Sequence, residues 1–138
     1  MTKFNFKLNI NRFINKLLPV LHKRMAKAAL LIENKVKQSL SISNIGGTNP
    51  SRPGEPPHSG TGALRNSIAS STFRKGSVVV VSDIGVAKGP AAAYARRLEL
   101  GFSGTDSKGR NYSQQARPFL KPAIFLNKET ILKIIRKG

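Results

Sequence analysis

Cysteine is absent from this 138-residue chain. That excludes disulfides, thiolate zinc sites, iron–sulfur clusters and cysteine nucleophiles. Histidine occurs twice, at His22 and His58, in unlike segments where surface positions are expected. The six acids, Glu33, Glu55, Asp83, Glu99, Asp106 and Glu129, are scattered singly. No carboxylates pair in sequence, and Ser59, Ser67 and Ser82 have no evident base. An enzyme is therefore not expected, nor any cofactor or metal. No run of ~18 apolar residues could form a membrane span. Lys3, Lys7, Arg12 and Lys16 break up any signal-peptide core.

Positive charge is what the chain has in excess. Lysine and arginine number 24, giving a formal net charge of +18. Such a balance points to a polyanionic partner or an acidic protein surface, and says little about fold. The length suits one domain, 1–138, and the 39% hydrophobic content suggests one modest core with sizeable loops or arms.

Residues 1–10 alternate Phe4, Phe6, Leu8 and Ile10 with polar positions, which predicts an extended arm. Residues 11–40 predict a long helix. Ile14, Leu17, Leu21, Met25, Ala28, Ile32, Val36 and Leu40 recur every three or four positions, with lysines largely between them. Pro19 either opens this helix or kinks a longer one. The apolar stripe is expected to be a core face, which does not preclude an oligomer interface. Residues 41–62 carry four prolines and five glycines, too many for a helix or central strand. A loop that could order on assembly is expected there.

Thr61 is placed to cap a short turn through Leu64 and Arg65. A hairpin follows, with strands Ile68–Phe73 and Ser77–Ser82 joined by Arg74-Lys75-Gly76. The run Val78 to Val81 reads as covered on both faces. A Gly/Pro/Ala connection leads to a short helix, Ala92 to Leu100, stopped at Gly101. Residues 102–116 read as a polar, basic loop. A last helix is expected from about Lys121, with Pro122 in its first turn and basic residues toward its end.

No constellation reads as catalytic. Gly101-Phe102-Ser103-Gly104 lacks the preceding strand and the lysine pattern of a phosphate loop. Lys108-Gly109-Arg110 reads as a solvated loop, and Asn111-Tyr112-Ser113 is too common a pattern to count. Glu99 stands out, with Arg96 and Arg97 beside it and Arg117 able to approach in the fold. A half-buried carboxylate calls for a cation, so Glu99 is expected to anchor the following loop through arginine. The alternative is a surface ion pair of little consequence.

Three segments carry a resemblance: Thr61-Gly62-Ala63-Leu64-Arg65-Asn66-Ser67-Ile68, Tyr94-Ala95-Arg96-Arg97-Leu98-Glu99-Leu100-Gly101, and Ala116-Arg117-Pro118-Phe119-Leu120-Lys121-Pro122-Ala123. In order and spacing they resemble the neck or tail-completion (head–tail joining) proteins of long-tailed bacteriophages, over roughly residues 11–136. Phe102 stands where that family often has a small polar residue. The resemblance implies an α+β fold with a long N-terminal helix, a small mostly antiparallel sheet and a C-terminal helix. It implies a virion protein assembled in the host cytoplasm, forming a homo-oligomeric ring, with six copies expected, around the DNA channel. Its partners would be the head connector or stopper protein and the tail terminator or tail tube protein.

Under this reading Arg65, Tyr94, Arg96, Arg97, Glu99, Gly101, Arg117, Pro118 and Phe119 are the interface and structural positions. Leu64, Ile68, Tyr94, Leu98, Phe119 and Leu120 should be core, and Gly62 and Gly101 should allow backbone turns. Lys108, Arg110, Lys133, Arg136 and Lys137 are candidates for touching genomic DNA or an acidic partner. A ring about 30 Å tall would face on the order of 18 phosphates. Six copies at +18 exceed that several-fold. Much of the charge is therefore expected to face acidic neighbours, with the 41–62 loop and both termini as docking arms. Two other readings compete. One is a basic nucleic-acid-binding protein acting through phosphate contacts, although no sequence-reading motif is present. The other is an organellar protein with a cleaved leader, because residues 1–32 contain no acid.

Overall fold

The computed structural model describes residues 10–42, 49–87 and 89–138. Its elements, in order, are α1 (Ile10–Ser39), α2 (Ala63–Ser67), β1 (Ile68–Lys75), β2 (Val79–Val86), α3 (Pro90–Leu100), β3 (Phe102–Thr105), β4 (Asn111–Gln114), α4 (Leu120–Leu126) and α5 (Lys128–Lys137). The fold is α+β: a long N-terminal helix, two antiparallel hairpins and C-terminal helices. The arm expected at 1–10 lies outside the described residues apart from Ile10, which begins α1.

Helix α1 runs 30 residues, about 45 Å at the usual rise, and continues through Pro19. It lies across the β1–β2 hairpin and also meets α4 and α5. Its second half supplies Ile32 and Val36, and Leu40, just past its end, continues the same face at intervals of four. Leu64 of α2, Ile68 of β1, Ala91 and Ala95 of α3, and Phe119 with Ala123 complete the core. Alanines on α3 let that helix approach closely.

Polar pins join α1 to the hairpin. The Glu33 carboxylate accepts from Lys37 Nζ at 2.6 Å and from Ser70 Oγ at 2.6 Å. The Lys37 bond above all, then that of Ser70, holds the Glu33 carboxyl below the usual carboxylate value. His22 Nε2–H donates to the Thr72 carbonyl at 3.1 Å, so this ring is engaged on the inner side of α1.

Several expectations are corrected. The apolar stripe is buried only in its second half; Leu17 is 48% exposed, while Leu18 and Ala29 are buried. Strand β1 pairs with β2 from Ile68↔Val86 to Lys75↔Val79. The connection is therefore Gly76-Ser77-Val78, with Gly76 at φ +70°, rather than Arg74-Lys75-Gly76. Val78 and Val79 are exposed, so the valine run is not covered on both faces. The supposed loop at 102–116 contains a second hairpin, Phe102↔Gln114 to Thr105↔Asn111. Local turn chemistry builds it. Asp106 Oδ1 accepts the amides of Lys108 and Arg110, and Gly109 takes φ +74°. The terminal helix is two helices, dividing at Asn127.

Candidate assembly interface

Two of the three sequence segments, 94–101 and 116–123, meet at one corner of the molecule, where α3 ends and α4 begins, and the first, 61–68, packs Leu64 and Ile68 into the adjoining core. A helix start leaves its first amides without intrahelical partners. For α4 these belong to Phe119, Leu120 and Lys121, and Pro122 has no N–H to leave. Glu99, near the end of α3, takes all three. Its Oε2 accepts from Phe119 N–H at 2.8 Å and Leu120 N–H at 3.0 Å, and its Oε1 from Lys121 N–H at 2.9 Å. The negative carboxylate also faces the positive end of the α4 dipole.

Glu99 is thus an anchor, as expected, but its partners are backbone amides and not Arg96, Arg97 or Arg117. Arg117 instead donates Nε–H to the Ser51 carbonyl at 3.3 Å, and its own amide reaches the Leu98 carbonyl at 2.6 Å. Arg97 lies over the Phe102 ring, 4.5 Å from its centroid, and Arg96 is exposed. Pro118 is half-buried between Arg117 and the buried Phe119.

Gly101 makes the chain reversal between α3 and β3. It sits at φ +78°, ψ 170°, a region essentially reserved for glycine. A Cβ there would lie 3.0 Å from the Gln114 carbonyl oxygen and 3.1 Å from the Ala116 nitrogen. Gly62, at φ +77°, plays the matching part before α2. The described part of the Pro-rich loop, residues 49–62, is fastened to the same corner: Gly54 N–H reaches the Ala116 carbonyl at 2.9 Å. Residues 43–48 lie outside the described residues.

Arg65 does a complementary job at the other pole of a helix. Its Nε–H reaches the Lys37 carbonyl near the end of α1 at 3.2 Å. Arg24, which sequence reasoning passed over, treats α5 likewise: Nη1 reaches the carbonyls of Ile135 at 3.2 Å and Arg136 at 2.8 Å. Tyr94, expected in the core, is 39% exposed and lines a small cleft of about 120 Å³ with Leu64, Arg65 and Leu98. Leu64, Ile68 and Phe119 are core as expected, with Leu98 and Leu120 packed at its margin.

The structure separates the five candidate contact cations. Lys108 and Arg110 occupy the β3–β4 turn, where Arg110 pairs with Asp106 at 2.8 Å. Lys133, Arg136 and Lys137 lie on exposed positions of α5. Large apolar side chains face outward at the end of α3, where Leu100 is 69% exposed, and at the end of α4, where Phe125 is 75% and Leu126 80% exposed. The N-terminal half of α1 adds Ile10, Phe13, Leu17 and Val20, all exposed and spaced as one helical stripe.

No family model matches the chain, and neither does any curated protein or solved structure. No described helix is long and apolar enough to cross a membrane.

Proposed function

We propose that this chain is a structural, non-enzymatic subunit of a long-tailed phage neck. Copies form a ring, six by our reading, that joins the DNA-filled head to the tail and surrounds the DNA channel. Its neighbours are the head connector or stopper on one side and the tail terminator or tube on the other. It needs no cofactor, assembles in the host cytoplasm and resides in the virion.

One observation carries this reading beyond the sequence resemblance. The second and third quoted segments build a single braced corner around Glu99, Gly101 and Arg117, and the first adds Leu64 and Ile68 to the core behind it. From that corner the outer side of α4 carries an apolar surface, Leu120, Ile124 and Phe125, on a strongly basic body. Monomers rarely leave such contiguous surface uncovered, and a fixed, braced surface suits a subunit whose task is docking.

Electron microscopy of particles from a phage or prophage lacking this gene tests the proposal. DNA-filled heads lying apart from finished tails, rescued by the gene in trans, are expected. Normal infectious particles would remove the joining role.

A second reading, phosphate-mediated DNA binding, draws support from the β3–β4 hairpin. Phe102, Gly104, Tyr112 and Gln114 share one face by register, with Arg97 over Phe102 and Arg110 5.7 Å from the Tyr112 centroid. Arginine beside aromatic rings suits nucleic acid. A steep fall of duplex affinity with salt, without an assembly defect on deletion, would favour this reading.

A further inference from the structure

The outer side of the α4–α5 corner holds an open groove of about 500 Å³. Its floor is Leu120, Ile124, Phe125, Ile131 and Leu132. Its rim carries Lys121 and Lys128, both exposed. Glu99 also borders it, but that carboxylate is occupied by the three amides of α4. Glu129, next to Lys128 in the first turn of α5, does not line the groove. The rim is therefore cationic over an apolar floor.

We propose that this groove seats an amphipathic helix of a partner protein, with large apolar residues at every third or fourth position and acidic residues beside them. Charge selects the occupant. A second copy would approach with its own exposed α1 stripe, Ile10, Phe13, Leu17 and Val20, which has Lys16 along its edge, on a body of net charge +18. Setting that basic face against Lys121 and Lys128 is repulsive, whereas glutamates or aspartates would meet them favourably. Backbone chemistry selects the shape. The groove walls are helices whose amides and carbonyls are largely used internally, so they offer no strand edge. An extended segment would press unpaired backbone groups on an apolar floor, while a helix satisfies its own.

This deepens the joining reading by assigning the chemistry of one partner, and rests on that reading only for where the partner sits in the particle. A peptide assay tests it without any phage. The probe is a synthetic peptide of about 16 residues, long enough to hold helix, with leucines at helical spacing and glutamates flanking them. One control replaces the glutamates by lysine, and a second replaces the leucines by alanine. Fluorescence anisotropy reads affinity on the full chain, and amide NMR shifts locate the site.

The expected result is binding of the Leu/Glu peptide at least about tenfold tighter than either control, about 1.4 kcal/mol, with shifts centred on 120–132. Phe125→Ser and Lys128→Glu should each weaken it by a similar factor. Both positions are exposed, so folding is not at stake. Equal binding of the alanine control would overturn the proposal in favour of bulk charge attraction. Equal binding of the lysine control would overturn the acidic requirement. Self-association abolished by Phe125→Ser, with no peptide bound, would make a second copy the occupant. Any of these results would leave the particle phenotype on gene deletion to decide the joining role by itself.

Discussion

At the scale of single residues, the molecule places its charges on helix ends. Glu99 meets the start of α4, Arg65 the end of α1 and Arg24 the end of α5. Glu99→Ala would strand three amides that now share one carboxylate. We expect a loss of about 2–3 kcal/mol, and about half of that for Glu99→Gln, which keeps one acceptor oxygen. Urea unfolding of the two variants measures both. Gly101→Ala should cost about 1–3 kcal/mol for the dihedral alone, with the Gln114 and Ala116 contacts adding to it. Glu33 makes a pH prediction. Its folded pKa lies below the ordinary 4.5. Its stabilising contribution is therefore complete above that value and fades as pH falls through the lower folded value. The gap in urea midpoint between the native chain and Glu33→Gln should be widest near neutral pH and close in acid.

At the scale of elements, what could be read from the sequence follows how each element is held. The second half of α1 was legible because its face is buried at regular intervals. The first half shows the same periodicity but is covered only in part, at Leu18 and around His22, so periodicity alone misplaced Leu17. The β1–β2 hairpin was legible from its β-branched run, although the turn lies further along than the glycine suggested. The β3–β4 hairpin was not. Its outward Ser103, Thr105, Asn111 and Ser113 give no apolar alternation, and its turn depends on side-chain-to-backbone bonds from Asp106. Glu99 stands out in the sequence as an acid among arginines, yet its partners are amides, which every residue but proline possesses and no letter announces. Pro19 gives the element-scale prediction. It removes the N–H that would reach the Asn15 carbonyl inside α1. Pro19→Ala should strengthen that stretch by about 1–3 kcal/mol, seen as slower hydrogen exchange around residues 16–23 with little change beyond the core.

At the scale of the whole molecule, charge dominates. Twenty-four cations against six acids repel one another across a small body, and ion pairs such as Glu33–Lys37 and Asp106–Arg110 relieve only part of this. Screening should therefore stabilise the free chain. Raising salt from 0.05 to about 0.5 M shortens the Debye length several-fold, and we expect the melting temperature to rise by roughly 3–6 °C, on the order of 1 kcal/mol for a domain of this size. A flat or falling melting temperature would show that the cations are already matched within the fold. The Glu99 contact also bears on the order in which the chain acquires its shape. Its three bonds span 20 to 22 residues and enclose the whole β3–β4 hairpin. Such loop-closing contacts reward the chain only after the loop's entropy has been spent, so we expect these bonds to form late in folding. Defects at Glu99 should then speed unfolding more than they slow folding.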